Sequence, residues 1–288
     1  MVFEHVCGGG MAGEPLPAGL VRQGGAMLAA LVADFTRADH DVVTFRDARI
    51  DLRLEAAEVV VIDARGALDA AFDDNARRCD AVCVIAPECD GCLEHWLRRV
   101  VATGMRNLGC DSSAAGLCGD KLALAEHWAR HGVPTPQTVS ARDAVCLSTV
   151  NRLVVKPRFG AGCEATRIVS NRSSLAAPDD TIVQPFVPGD AVSVSMLVEN
   201  DVVRPLLAGR QHVTIGSDGT QATDGELHYL GGSLPLEGPG AQRAISLATR
   251  AVRCVPGLRG FVGVDLVVGE RGPHDDCAAE INPRLTMW

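Results

Sequence analysis

Residues 279–284 read Ala279-Glu280-Ile281-Asn282-Pro283-Arg284, and Gly263-Val264-Asp265-Leu266-Val267 stands before them. Both stretches are apolar and β-branched, and the polar turn Glu270 to Asp276 lies between them, so a hairpin is predicted with strands at Gly260 to Val268 and Cys277 to Asn282. Side chains alternate along a strand, which sets Glu280, Asn282 and Arg284 on one face and lets the hairpin bring Asp265 alongside. Such a set of oxygen-bearing side chains suits magnesium or manganese. Magnesium takes hard oxygen ligands, keeps several waters, and is usually completed by substrate phosphates. Arg284 would face a phosphate in transfer. A solvated polar sheet face is the bland alternative. Asp265, however, lies among Val262, Val264, Leu266 and Val267, where an unpartnered carboxylate is costly.

Working back along the chain, Leu153-Val154-Val155-Lys156-Pro157-Arg158-Phe159-Gly160-Ala161-Gly162 reads as a strand that ends in lysine and runs into a glycine loop. An ammonium at a strand end can reach nucleotide phosphates, and Gly160 and Gly162 let backbone N–H groups approach a triphosphate closely. No G-x-x-x-x-G-K-[ST] occurs in the chain, which disfavours a P-loop fold. Lys121 opens a helix after Cys118-Gly119-Asp120 and offers a second ammonium, although most such lysines are surface residues. Gln184-Pro185-Phe186-Val187-Pro188-Gly189-Asp190 reads as a strand leaving one lobe for another, with Pro188-Gly189 making a turn.

The first part of the chain alternates short β-branched runs (Val2 to Val6, Val42 to Phe45, Val59 to Asp63, Val82 to Pro87) with amphipathic segments (Leu20 to Ala38, Ala67 to Cys79, Leu93 to Gly104), the order of βαβ units. In the first helix Leu28, Leu31, Val32 and Phe35 form a single stripe. A second helix from Asp120 to His131 ends at Gly132 and Pro134, and strands that look antiparallel follow, from Leu153 to Leu207. A last helix is predicted at Ala241 to Cys254. Gly8, Gly10 and Gly13 spell G-x-G-x-x-G after the first strand, but Pro15 and Pro17 delay the helix that a dinucleotide site needs. The glycines read either as a flexible substrate loop or as an ordinary mobile turn.

With 288 residues, 47% of them hydrophobic, the chain can bury a large core, and about 100–200 residues per domain gives two or three units. A net charge of -9 provides no field for a phosphate backbone, and aromatics at 4% supply few stacking platforms, so nucleic acid is not expected as a partner. No run reaches the roughly 20 apolar residues of a membrane span, and the start lacks a basic signal-peptide region, so no membrane association and a cytoplasmic location are expected. The cysteines are odd in number and scattered. Cys89 and Cys92 have metal spacing without a second pair to complete a zinc site.

Five elements in this order, an Asp-Lys helix start, V-V-K-P with a glycine flap, Q-P-F-V-P-G, G-V-D-L-V and E-I-N-P-R, resemble the ATP-grasp superfamily from about Asp120 to Arg284. The resemblance implies an α/β and α+β chain: a pre-ATP-grasp α/β domain over 1–112, a small lobe with the flap over 113–183, and a C-terminal lobe with the metal site over 184–288. It implies that Lys121, Lys156, Gly160, Ala161 and Gly162 bind ATP phosphates. Gln184, Pro185, Phe186 and Val187 would hold the adenine, and Asp265, Glu280 and Asn282 would bind magnesium. Arg284 and Lys156 would assist chemistry in which a carboxylate attacks the γ-phosphate and an amine then displaces phosphate. Ala191 stands where many members carry an acid for the ribose, so Asp190 is the expected substitute. Cys163 after the flap places a thiol beside the triphosphate. The chain stops at Leu285-Thr286-Met287-Trp288, whereas members normally continue past the metal strand.

Phe3-Glu4-His5-Val6, Gln23-Gly24-Gly25-Ala26-Met27 and Ala86-Pro87-Glu88-Cys89-Asp90-Gly91 are similar to the tyramine-glutamate ligase group of furan-coenzyme biosynthesis. That resemblance implies glutamate as the activated carboxylate and tyramine or tyrosine as the amine, with Glu4, Glu88 and Arg210 as candidate substrate contacts. An amino-acid or peptide ligase of other specificity and a non-catalytic ATP-binding protein are the alternatives. The sequence is compatible with a homodimer and does not fix the oligomeric state.

Overall fold

The computed structural model describes residues 1–160, 162–170, 178, 180–200, 202–216 and 224–286. They form two compact units, the first from residues 1–87, 91–113 and 284–286, the second from residues 88–90 and the stretch from Ala114 to Pro283. The two lobes expected on either side of residue 183 lie in the second unit, apart from Ser113 and residues 284–286, which group with the first.

The first unit carries β1 (Val2–Glu4), α1 (Ala18–Arg37), β2 (Val43–Asp47), β3 (Glu58–Ile62), α2 (Arg65–Ala76), β4 (Ala81–Ile85), α3 (Cys92–Thr103) and β5 (Arg106–Asn107). The strands make a parallel sheet in the order β3-β2-β1-β4-β5. The strand order therefore reverses between β1 and β4, the position where open α/β sheets leave a crevice at the carboxyl ends of their strands. The helix stripe is buried at Leu28, Leu31 and Val32. Phe3, Phe45, Phe72 and Trp96 are fully buried and meet as a cluster, with Phe3 4.6 Å from Trp96 and 5.1 Å from Phe72 between ring centroids. Edge and tilted ring contacts of this kind add to the area they bury.

The glycine stretch after β1 differs from both expectations. Val6–Gly10 is a buried π-turn: a Cβ on Gly8 would come 2.8 Å from the Phe3 ring, one on Gly9 2.6 Å from Ile62, and one on Gly10 2.1 Å from the His5 ring. Gly9 also has a φ of +95°, which L side chains rarely adopt. These glycines let backbone lie directly on side chains of the sheet, which is a packing role.

The second unit contains α4 (Ser112–Gly119, whose first two residues belong to the other unit), α5 (Lys121–Arg130), β6 (Val139–Ser140), β7 (Leu153–Pro157), β8 (Arg167–Val169), β9 (Thr181–Pro185), β10 (Gly189–Glu199), β11 (Val202–Ile215), β12 (Gly225–Ser233), α6 (Pro239–Arg253), β13 (Gly260–Gly269) and β14 (Cys277–Asn282). Its strands form one antiparallel sheet in the order β14-β13-β10-β11-β12-β8-β7-β9-β6. Helix α6 packs on β10, β11, β13 and β14. The even-numbered residues Val192, Val194, Met196, Val262, Val264 and Leu266 are buried. By alternation the odd-numbered residues of β10 and β13 share the opposite face, and that is the face on which Asp265 stands.

Helix α5 starts at Lys121 because Asp120 caps it, its carboxylate accepting from the N–H groups of Leu122 and Ala123 at 3.1 Å. The same carboxylate pairs with Arg158 just past β7, at 2.7 Å from Nε, and the Lys121 N–H donates to the Arg158 carbonyl at 3.2 Å. The helix start is thereby tied to the strand that leads into the glycine loop.

Candidate active site

The registers place the predicted residues in rows. Asp265 on β13 lies opposite Glu280 on β14 and opposite Ser193 on β10, and Ser193 lies opposite Gly209 on β11. Glu280, Asp265, Ser193 and Gly209 thus span four strands in one row. Asn282, opposite Gly263, donates through Nδ2 to Asp265 Oδ2 at 3.1 Å. The hairpin and the convergence of Asp265, Glu280 and Asn282 read from the sequence are present. Strand β14 ends at Asn282 and Pro283 follows, so the alternation does not extend to Arg284, which groups with the first unit. There the charge of Arg284 acts on the buried Glu4 carboxylate. Burial pushes that carboxyl above the usual range, against the Cys7 and Val6 N–H groups and Arg284, which draw it down.

Lys121 is buried, not a surface lysine. Its ammonium lies 3.3 Å from Glu280 Oε1 and donates to the Gly160 carbonyl of the flap. Lys156 is also buried. Burial and the Lys121 charge lower its pKa, while Glu280 and Asp265 act in the opposite direction. Two ammonium groups and two carboxylates therefore sit close enough to set one another's charge. Burial, with the charges of Asp265 and Glu280, raises the pKa of the Cys163 thiol, which is thus held in its protonated, less nucleophilic form. Gly162 has a φ of +64°, which favours glycine, and nothing lies within 4 Å of where a Cβ would stand. Ala161 lies outside the described residues.

Among the described residues no group of three or more His, Cys, Asp or Glu side chains is assembled for a metal. The set on this face is two carboxylates and an amide, hard oxygen donors too few for a closed cage. This donor set fits magnesium, which relies on phosphates and waters for the rest of its shell.

Other predicted residues are placed differently. The Gln184 side chain is buried and donates to Thr138 Oγ1 at 2.7 Å, and the Phe186 N–H donates to the Arg152 carbonyl at 2.9 Å. The Arg152 guanidinium covers the Phe186 ring at 4.0 Å. This segment, with Pro185 ending β9 and Val187 beyond it, is anchored to its own lobe, and Gln184 spends its amide on structure. Asp190 shares the even-numbered face with Val192 and forms an ion pair with Arg210, its neighbour across the β10–β11 ladder. Both stand on the even-numbered face, opposite the one that carries Asp265. Glu88 is buried in the second unit, its carbonyl 3.2 Å from where a Cβ on Gly119 would stand. All eleven cysteines are free thiols, Cys89 and Cys92 included.

The sequence did not single out Gln211 and Tyr229. Gln211 Nε2 donates to Asp265 Oδ1 at 3.1 Å. Tyr229, the sole tyrosine of the chain, has its pKa raised by burial and by the charges of Asp265 and Cys163, so it too faces this region. Neither stands in a motif; their proximity follows from the registers of β10 through β12.

The ATP-grasp domain model matches residues 118–287 and the pre-ATP-grasp model matches residues 40–115, so the chain belongs to the ATP-grasp family. Among named relatives it is 26% identical over 290 residues to the tyramine–L-glutamate ligase of Methanocaldococcus fervens, covering 99% of this chain and 86% of that protein. It is 27% identical over 207 residues to the tyramine–L-glutamate ligase of Methanocaldococcus jannaschii, covering 72% and 56%. The crystal structure of an ATP-grasp superfamily protein from Archaeoglobus fulgidus superposes with a TM-score of 0.71 at 25% identity, over 99% of this chain and 81% of that one.

Proposed function

We propose that this protein activates the γ-carboxyl of glutamate with ATP and joins it to tyramine or tyrosine. It is an ATP-grasp ligase that forms a C–N amide bond with release of ADP and phosphate. The observation that carries the reading is the position of the Lys121 ammonium, which bonds the flap carbonyl of Gly160 and lies 3.3 Å from Glu280. Three motifs far apart in sequence, the helix start, the glycine flap and the acidic strand, meet at that one atom.

In this reading Lys121 and Lys156 face the β- and γ-phosphates, and the flap from Gly160 to Gly162 covers them. The hinge backbone from Gln184 to Val187 receives the adenine, since the Gln184 amide is engaged with Thr138. Asp265, Glu280 and Asn282 would hold magnesium, which when bound neutralises charge on the phosphate oxygens. A carboxylate oxygen of the substrate attacks the γ-phosphorus and ADP leaves. The amine nitrogen then attacks the acyl carbon, phosphate departs, and the nitrogen loses a proton. No protein nucleophile is needed. Arg284 is assigned to the acyl phosphate as the cationic residue closest in sequence to the metal strand. Glutamate and tyramine are favoured over other pairs because the relative from M. fervens aligns along nearly the whole chain. Among the described residues no helix is long and apolar enough to cross a membrane, and dependence on ATP fits a cytoplasmic enzyme.

ADP release is the test, with ATP, magnesium, and glutamate, tyramine or tyrosine supplied alone and in pairs. Release that needs glutamate with one amine and disappears in Glu280→Ala supports the reading. Release with other carboxylate and amine pairs only would replace the substrates, and none above the Glu280→Ala background with any pair would remove the ligase assignment.

A further inference from the structure

Gln211 has no part in the roles above, yet it reaches the Asp265 carboxylate from two strands away. In the sheet order β13-β10-β11, the strand between them is β10. Ser193 of β10 stands between Asp265 and Gly209, and continuing the β10–β11 register one step beyond Val192 and Arg210 puts Ala191 opposite Gln211. Neighbouring strands lie about 4.8 Å apart, so crossing one strand takes nearly 10 Å. A glutamine side chain can span this diagonally only over small residues. Alanine at 191, serine at 193 and glycine at 209 leave that lane open, and the result is a 3.1 Å bond from Nε2 to Asp265 Oδ1.

The other oxygen of Asp265, Oδ2, accepts from Asn282. Asn282 and Asp265 are both assigned to the cation. Once the Asn282 carbonyl turns to a cation, its amide N–H cannot be relied on to fix the carboxylate plane. The Gln211 N–H cannot ligate a metal and stays where it is. It holds Oδ1, and so leaves Oδ2 directed to the side where Asn282 and Glu280 stand. Because the amide is neutral, it orients Asp265 without neutralising it. A lysine or arginine at this position would compete with the cation, and a carboxylate would repel Asp265 or add a charge. We propose that Gln211 is a positioning residue for the metal-binding carboxylate Asp265, acting on the affinity of the site for its divalent cation through the Oδ1 hydrogen bond. This inference rests on the metal assignment given above. Partners of this kind, one step removed from the ligands, typically change metal affinity by about 10–100-fold when removed.

The experiment uses the full chain with ATP and Mn²⁺ as the probe cation. Free Mn²⁺ is followed by electron paramagnetic resonance, and ATP binding without divalent cation by calorimetry. The variants are Gln211→Met, which keeps length and removes the donor, Gln211→Ala as a second form, and Asp265→Asn. Gln211 is only partly buried, so both substitutions are compatible with folding. The expected result is that Gln211→Met and Gln211→Ala weaken Mn²⁺ binding to the ATP complex by about 10-fold or more, with metal-free ATP affinity and thermal midpoint unchanged. Asp265→Asn abolishes tight Mn²⁺ binding. If Asp265→Asn binds Mn²⁺ as the wild type does, the metal assignment itself falls and the role of Gln211 with it. If Asp265→Asn loses the ion while both Gln211 variants keep wild-type affinity and spectrum, the metal assignment stands and the positioning role of Gln211 is overturned.

Discussion

Replacing Asp120 tests whether one carboxylate both starts helix α5 and fastens it to the flap strand. The cap consists of two hydrogen bonds at 3.1 Å to the Leu122 and Ala123 N–H groups. Removing such a cap costs about 1 kcal/mol. The second bond set is the pairing with Arg158, where the side chains are 16% and 35% exposed. A charge-assisted pair contributes about 1.5–3 kcal/mol when well buried, and solvent screening at this exposure brings it to about 1 kcal/mol. Asp120→Ala should therefore lose about 2 kcal/mol, whereas Asp120→Ser, which keeps a capping oxygen and removes the charge, should lose about half of that. At about 2–4 °C per kcal/mol for a domain of this size, the thermal midpoint falls by about 4–8 °C in the alanine variant and by about half as much in the serine variant. Burial pushes the Asp120 carboxyl up, but Arg158 and the Ala123 and Leu122 N–H groups hold it below its ordinary 3.8. A depressed folded pKa means that its stabilisation is complete above 3.8 and is lost as pH falls through the lower folded value. The variants should thus separate from wild type at pH 7 and converge in strong acid. Because Lys121 follows directly, both should also raise the KM for ATP. Equal midpoints for the serine and alanine variants would refute the capping account, and wild-type midpoints for both would refute the whole of it.

Two further predictions concern the first unit. Burial, with the charges of Arg65 and His95, lowers the pKa of His5 from 6.5 to about 4, and its Nδ1 accepts from Trp96 Nε1 at 3.1 Å. A histidine held neutral in the fold makes the protein most stable above pH 6.5 and costs it up to about 3 kcal/mol as pH falls to 4. Urea titrations across that range should show the loss, and His5→Asn, which keeps an acceptor without titrating, should flatten it. Gly10→Ala, whose methyl would overlap the His5 ring at 2.1 Å, should cost about 1–3 kcal/mol by overpacking and more than Gly13→Ala, which has open space and only a φ of +89° against it. Thermal midpoints of the two variants compare them, and equal losses would speak against a packing role for the glycine turn.

The acidic hairpin was legible because its chemistry is local: the alternation of Glu280 and Asn282 with Ile281, and a turn rich in polar residues, specify both the element and the face. The helix start at Asp120-Lys121 was legible for the same reason, while the capping bonds of Asp120 appear in the structure. What escaped depends on registers between strands distant in sequence. Gly225-Glu226-Leu227-His228-Tyr229-Leu230-Gly231-Gly232-Ser233 has three glycines and no alternation, and its ladders with β11 and β8 make it a strand. Strand β11 runs to Ile215, past the Leu207 expected from its apolar start, because β12 covers its second half. Asp190 was expected as the substitute for an acid missing at Ala191, and its face, set by parity with Val192, is read from the β10 register and not from the motif. Gly8, Gly10 and Gly13 spelled a motif whose first two members serve close packing, since spacing alone does not reveal what a missing Cβ makes room for.

The first unit takes its strands from the beginning of the chain and Arg284 from near its end. During synthesis the parallel sheet can be assembled once residue 113 has left the ribosome, but the Glu4 carboxylate must wait until 171 further residues have been made for the cation that acts on it. Until then the Glu4 carboxyl, which burial pushes up, rests on the N–H groups of Cys7 and Val6, local bonds that form with the first strand and its turn.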